Sequence, residues 1–95
     1  MSKKINLKII TPEKLILEEI VDEVLIPTSE GEIGILPNHI PLIARLSSGD
    51  VVGMLGDENL PVAVVGGFAE IKKDETGTTN VIILADFAEN VANLT

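Results

Sequence analysis

Short runs of Val, Ile and Leu, each closed by Gly, Pro, Asn or Asp, restrict the fold of this chain more than any other feature. A helix needs apolar residues spaced by three and four over ten or more positions. A strand needs only four to eight residues, alternating or uniformly apolar. Ile5-Asn6-Leu7-Lys8-Ile9 alternates and reads as a half-buried strand. Thr11-Pro12 closes it, because proline has no N–H for a ladder and turns the chain. Residues 14–26 hold two strand-like pieces whose alternation slips around Glu18-Glu19, which points to a bulge or to a strand that changes sheets. Residues 27–31 form a turn, 33–36 a short strand, and Pro37-Asn38-His39 a second turn. Strands follow over 41–46, 51–55, 61–65 and 68–71, with a hairpin tip at 56–59. Gly66-Gly67 interrupts this pattern and marks a bulge or a close backbone approach. Residues 72–80 are a polar hairpin loop, and Val81-Ile82-Ile83-Leu84-Ala85 is uniformly apolar, as expected for a strand buried on both faces.

The end of the chain changes character. Asp86 with Glu89 makes a capping-box pattern, and Phe87, Val91 and Leu94 recur at helical spacing. The expected fold is therefore all-β: about ten strands in a β-sandwich or flattened barrel, with a short C-terminal helical turn. Its 95 residues suit one core, with the sandwich over residues 1–86 and a short helix or tail over 87–95.

Charge narrows the partners. The net charge is −8, and Glu18, Glu19, Asp22, Glu23, Glu30 and Glu32 fall in one stretch without an intervening Lys or Arg. Nucleic-acid binding calls for clustered basic residues and aromatic stacking surfaces. There is no Trp or Tyr, and only Phe68 and Phe87 are aromatic. No nucleic-acid partner and no direct lipid insertion are expected. Cysteine is absent, which excludes disulfides and thiolate chemistry. No apolar run of signal-peptide or membrane-spanning length occurs, so a soluble, cytoplasmic chain is expected. Yet 45% of the residues are hydrophobic, and a domain this small leaves some of them exposed as a partner surface.

Each pattern that resembles a reactive site has a plainer account. Neighbours on a strand point to opposite faces, so neither Glu18-Glu19 nor Asp22-Glu23 shares one cleft. One His (His39) beside Glu30 and Glu32 falls short of a metal-ligand set. Ser47-Ser48 with His39 and Asp50 lacks the strand–elbow–helix setting of a nucleophile. Gly31-x-x-Gly34 has no following Lys-Ser/Thr or long helix to make a phosphate cradle. Lys72-Lys73 could carry a lipoyl or biotinyl group, but the pair enters its loop instead of sitting at the apex. No catalytic residue, cofactor or metal is expected. The residues alone reach an acidic all-β interaction module, with the prosthetic-group carrier as the rival reading.

One segment reaches further. The run 21–27, then Ser29-Glu30-Gly31-Glu32-Ile33-Gly34-Ile35-Leu36-Pro37-Asn38-His39-Ile40-Pro41-Leu42, resembles the ε subunit family of F-type ATP synthases. Ile10-Thr11-Pro12-Glu13, Val65-Gly66-Gly67-Phe68-Ala69-Glu70 and Val81-Ile82-Ile83-Leu84-Ala85-Asp86 agree in order and spacing, so the resemblance covers residues 5 to 89.

The resemblance implies a β-sandwich of about ten strands without catalytic residues. It also implies a place in the central stalk, where the domain links the γ subunit to the c-ring and helps couple proton transport to ATP synthesis. Carried over by motif, Glu30, Gly31, Glu32 and Ile33 would face the c-ring, and Pro41, Leu42, Ile43 and Ala44 would face γ. Along 41–44, alternation sends Leu42 and Ile43 to opposite faces. The implied location is the cytoplasmic face of the bacterial inner membrane, held peripherally through the complex. Typical members continue into a two-helix hairpin that regulates hydrolysis and in some binds ATP. The sequence stops at Thr95, so ATP binding is not expected.

Overall fold

The computed structural model of the protein describes residues 4–90. These form eight strands and no helix: β1 (Ile5–Ile10), β2 (Leu15–Val21), β3 (Glu23–Thr28), β4 (Gly31–Ile35), β5 (Leu42–Arg45), β6 (Gly49–Leu55), β7 (Glu58–Lys73) and β8 (Thr79–Asn90). They follow the order β2-β1-β8-β7-β6-β3-β4, with β5 also paired to β7. All pairs are antiparallel except β1 with β8.

The two long strands turn this ribbon into a sandwich. The first half of β7 pairs with β6, from Glu58↔Leu55 to Val64↔Gly49. Its second half pairs with β5, from Phe68↔Arg45 to Ile71↔Leu42. β8 accompanies both halves in one unbroken register, from Val62↔Asn90 to Lys73↔Thr79. One layer therefore reads β5-β7-β8-β1-β2, and the other β8-β7-β6-β3-β4.

The strand crosses between layers at Gly66-Gly67. Both residues have positive φ, +68° and +106°. A Cβ on Gly67 would stand 2.0 Å from the Leu84 carbonyl oxygen. Val62 and Val64 point into the core before the pair, Ala69 and Ile71 after it, so the inward parity flips at the bend. The close backbone approach expected there is present, without loss of register. It also fuses two expected strands into one, which helps bring the count to eight instead of about ten.

The core is aliphatic. Ile5, Leu7, Ile9, Val21, Val24, Ile26, Ile35, Val51, Val62, Val64, Ile71, Val81 and Ile83 are 0–1% exposed. Each such side chain contributes roughly 1.5–3 kcal/mol through burial. The slip expected at Glu18-Glu19 lies slightly earlier: Ile9 faces Leu17 and Ile10 faces Leu15, leaving Ile16 as the extra residue. This lets the consecutive Ile16 and Leu17 both pack on the core. The chain then changes layers at Asp22, whose N–H donates to the Met54 carbonyl at 2.7 Å.

Two expectations are corrected. Residues 87–90 are strand, because Phe87, Ala88, Glu89 and Asn90 complete the ladder with Val65, Val64, Ala63 and Val62. The remainder of the expected helix, residues 91–95, lies outside the described residues. The apolar run 81–85 is buried on one face only: Val81, Ile83 and Ala85 point inward, while Leu84 is 50% exposed.

Gly67→Ala is expected to cost more than about 3 kcal/mol in urea denaturation or to prevent folding, because backbone atoms block its Cβ. Gly56→Ala, at φ +59° with open space around its Cβ, should cost only about 1–2 kcal/mol.

Candidate functional site

The β3–β4 connection is a two-residue turn, Ser29-Glu30, held from below by Thr28. The Thr28 hydroxyl donates to the Gly31 carbonyl at 2.5 Å and accepts from the Glu30 N–H at 3.2 Å. Gly31 takes φ +115°, where an L side chain is strained. The turn is also fastened to the other layer. Ser29 N–H donates to the Arg45 carbonyl at 3.0 Å, Ser47 N–H donates to the Pro27 carbonyl at 3.0 Å, and Thr28 bridges Leu46. Glu30, Gly31 and Glu32 are exposed on this fixed base, while Ile33 is half-buried against the core. Three of the four predicted tip residues are thus free for a partner.

From the far end of β4 the chain crosses to β5 through residues 36–41. Asn38, at φ +71°, donates its N–H to the Thr79 hydroxyl at 2.7 Å. His39 N–H donates to the Leu36 carbonyl at 3.1 Å, and its Nδ1 lies 2.8 Å from the Ile40 carbonyl. His39 therefore serves the turn, as a plain reading of its setting suggests. Leu36 is 57% exposed and Ile40 73%. On β5, Leu42 packs on the core and Ile43 is 69% exposed, with Pro41 exposed and Ala44 half-buried. The structure brings the tip and the Arg45 end of β5 together. Pro41, four residues back along the strand, lies roughly 13 Å from that end.

One exposed apolar surface is a place that sequence reasoning missed. Register places Arg45, Phe68, Leu84, Ile10 and Leu15 in one row across five strands. Phe68, Leu84 and Leu15 are each about half exposed, and the Arg45 guanidinium lies 5.2 Å from the Phe68 ring centroid. Val65 and Phe87, paired just past the bend, form a second exposed apolar pair on the same two strands. The available signal was the parity flip that a Gly-Gly bend imposes: it turns both Val65 and Phe68 outward.

Reactive chemistry finds no support among the described residues. No group of three or more His, Asp or Glu side chains could hold a metal ion. Glu18 faces Lys8 across the strand pair, whereas Glu19 faces buried Leu7. Lys72 and Lys73 lie within the β7 ladder, opposite Asn80 and Thr79. An open cleft of about 410 Å³ is lined by Lys4, Asn6, Ile20, Asn38, Thr76 and Thr78, among others. Lys4, its single charged lining group, is committed to the Asp22 carboxylate. That contact and the Gly56 N–H hold the Asp22 carboxyl below the usual carboxylate range.

These features define a β-sandwich interaction module with a fixed acidic turn and an exposed apolar sheet face. A family model for the β-sandwich domain of ATP synthase delta/epsilon chains matches residues 4–91. The ATP synthase epsilon chain of Syntrophobacter fumaroxidans is 43% identical over 94 residues, 99% of this chain and 66% of that protein. That of Desulforamulus reducens is 42% identical over 89 residues, 94% of this chain and 64% of that protein. A chain in the cryo-EM structure of the Euglena gracilis mitochondrial ATP synthase (OSCP/F1/c-ring, rotational state 1) superposes with a TM-score of 0.82 at 26% identity, covering 97% of this chain and 56% of that one. A chain of the Tetrahymena thermophila central stalk/c-ring structure shares the fold, with a TM-score of 0.67 at 15% identity over 98% of this chain and 72% of that one. The chain belongs to the ATP synthase delta/epsilon chain β-sandwich family. It spans about two thirds of the length of the curated relatives it matches.

The β7–β8 hairpin supplies a pH prediction. Asp74 accepts from the Thr76 hydroxyl, the Asn80 amide and the N–H groups of Thr76 and Thr78. Its pKa is lowered from 3.8 to about 2, chiefly by the Thr76 hydroxyl and then by Asn80. A depressed carboxylate stabilises the fold above its unfolded pKa and loses that contribution as pH falls through the folded value. The hairpin should therefore loosen between about pH 4 and pH 2. An NMR titration should place the Asp74 midpoint near 2, and Asp74→Asn should remove this part of the acid dependence.

Proposed function

We propose that this chain is a non-catalytic subunit of the central stalk of an F-type ATP synthase. It links the γ subunit to the c-ring and helps couple proton transport to ATP synthesis. The complex holds it peripherally at the cytoplasmic face of the bacterial inner membrane. Family membership supports the reading, as does the presence of a similar chain in an OSCP/F1/c-ring assembly.

The observation that carries it is the tip. Glu30, Gly31 and Glu32 stand in solvent on a backbone tied to both layers, through Thr28 and through Ser29 to Arg45. A rotating linker must transmit torque without its contact loop yielding, and hydrogen bonds to two layers meet that demand. The carboxylates suit polar or basic loops on the ring. Glu30, Gly31, Glu32 and Ile33 form the c-ring contact, with Ile33 acting from below as packing.

Pro41, Leu42, Ile43 and Ala44 form the γ contact. Within it, Ile43 is the exposed apolar anchor and Leu42 holds β5 to the core.

Glu32→Lys in the assembled enzyme is expected to leave stability within about 0.5 kcal/mol while lowering proton-driven ATP synthesis in membrane vesicles several-fold. An unchanged yield would remove Glu32 from the contact. On the β5 side, Ile43→Asp should weaken γ binding about tenfold, near 1.4 kcal/mol, with the melting temperature preserved. Leu42→Ala should instead lower stability by about 2 kcal/mol or more, because this side chain packs on the core.

A further inference from the structure

The outer face of the β5-β7-β8-β1-β2 layer is a grid of three rows. Its first row is Ile43, Glu70, Ile82, Lys8 and Glu18; its second is Arg45, Phe68, Leu84, Ile10 and Leu15; its third holds Lys72, Asn80, Asn6 and Ile20. Arg45, Lys72 and Lys8 against Glu70 and Glu18 give this face a net charge of +1, on a chain whose total is −8. It is the part of an acidic molecule that another copy can approach without strong repulsion.

The three central columns of the grid, β7, β8 and β1, are also self-complementary. β8 is its central column. A two-fold axis in the face and along β8 would lay β8 on β8, β7 on the partner's β1, and β5 on the partner's β2. Each Glu70 then meets a Lys8, each Phe68 meets an Ile10, and Leu84 and Ile82 meet their own copies. In the outer columns Arg45 lies over Leu15, one row from Glu18, and Ile43 lies over Glu18, whose carboxylate is 3.8 Å from Lys8 Nζ of its own chain. Aligned sheets cross at about −30° and strands are spaced about 4.8 Å, so the columns beside the axis shift by only about 2–3 Å. We infer that the isolated chain forms a symmetric face-to-face dimer through this surface, with a second copy of the chain as the occupant.

The grid spans roughly 500 Å² per copy in projection, or about 1,000 Å² for the pair. That is the lower limit for a specific interface, so the dimer is weak, with a Kd on the order of 100 μM. The inference does not rest on the function proposed above, and it is tested on the chain alone.

Sedimentation equilibrium of the full chain between about 10 μM and 1 mM should show the mass rising from 10.1 kDa toward twice that value. Concentration-dependent NMR shifts should cluster at Ile10, Leu15, Phe68 and Leu84. Glu70→Lys or Lys8→Glu alone should weaken association at least fivefold, and the two together should restore it to within about twofold of the original. Thermal melting checks that each variant is folded. Three outcomes would each overturn the inference: a monomer at 1 mM, association that Phe68→Asp leaves unchanged in a folded variant, or a double swap that stays as weak as the single ones.

Discussion

The rest of the molecule depends on one close backbone approach, Gly67 against the Leu84 carbonyl. Two neighbouring strands can bend together and keep their register only if the side chain on the inside of the bend is absent. Gly66 and Gly67 supply that absence, and their positive φ values supply the bend. A single ribbon of strands then becomes two layers, with one aliphatic core between them. The same bend decides which apolar residues are left outside. A parity flip in β7 turns Val65 and Phe68 outward, and its counterpart in β8 does the same to Leu84 and Phe87. The exposed apolar surface is thus a consequence of how the sandwich closes.

The second constraint is the fastening of the loops. The β3–β4 turn could have been a free hairpin tip. Instead Pro27, Thr28 and Ser29 bond to residues 45–47 at the end of β5 and just beyond it. Movement of the tip therefore moves the edge of the opposite layer. The β4–β5 crossing is tied at its other end, through Asn38 to the buried Thr79 hydroxyl. Ser29 and Ser47 thus join the base of the Glu30–Glu32 tip to both layers through backbone hydrogen bonds.

Much of this was legible in the sequence, because period-two patterning and Gly/Pro punctuation are local. Ile5-Asn6-Leu7-Lys8-Ile9, the two turns around β4 and the Gly-Gly feature could all be placed from nearest neighbours. The misses share a cause. Asp86 and Glu89 carry a capping pattern and Phe87 opens a helical spacing, yet Val62, Ala63, Val64 and Val65 offer residues 87–90 a ladder partner from more than twenty residues away, and tertiary pairing overrides the local signal. Residues 81–85 look buried on both faces because all five are apolar, but on the outer face Ile82 is only partly buried and Leu84 is half exposed. The slip at Glu18-Glu19 is a bulge at Ile16, and only the register with β1 reveals it. At the turn that the family resemblance singles out, Glu30, Gly31 and Glu32 are exposed. On β5 the resemblance names Leu42 and Ile43 together, and only their alternation separates the core residue from the exposed one.

Charge ties these surfaces together. The chain carries 15 acidic and seven basic residues, but the face centred on β8 holds three of the basic and only two of the acidic ones. The remainder of the molecule, the Glu30–Glu32 tip included, therefore carries about −9. Such a distribution works at two ranges. Over roughly a Debye length, about 8–10 Å at physiological salt, the acidic remainder turns away acidic surfaces and orients the approach to a polar or basic one. At contact, the nearly neutral face lets apolar side chains desolvate without burying unpaired charge, which would cost several kcal/mol per ion. Spreading the charge evenly would have weakened both effects. An acidic sheet face would resist acidic partners, a second copy of the chain included, and a neutral tip would have no electrostatic preference for one orientation. Strand alternation makes the partition possible, because residues facing the same side of neighbouring strands can be chosen for one charge without changing the core behind them.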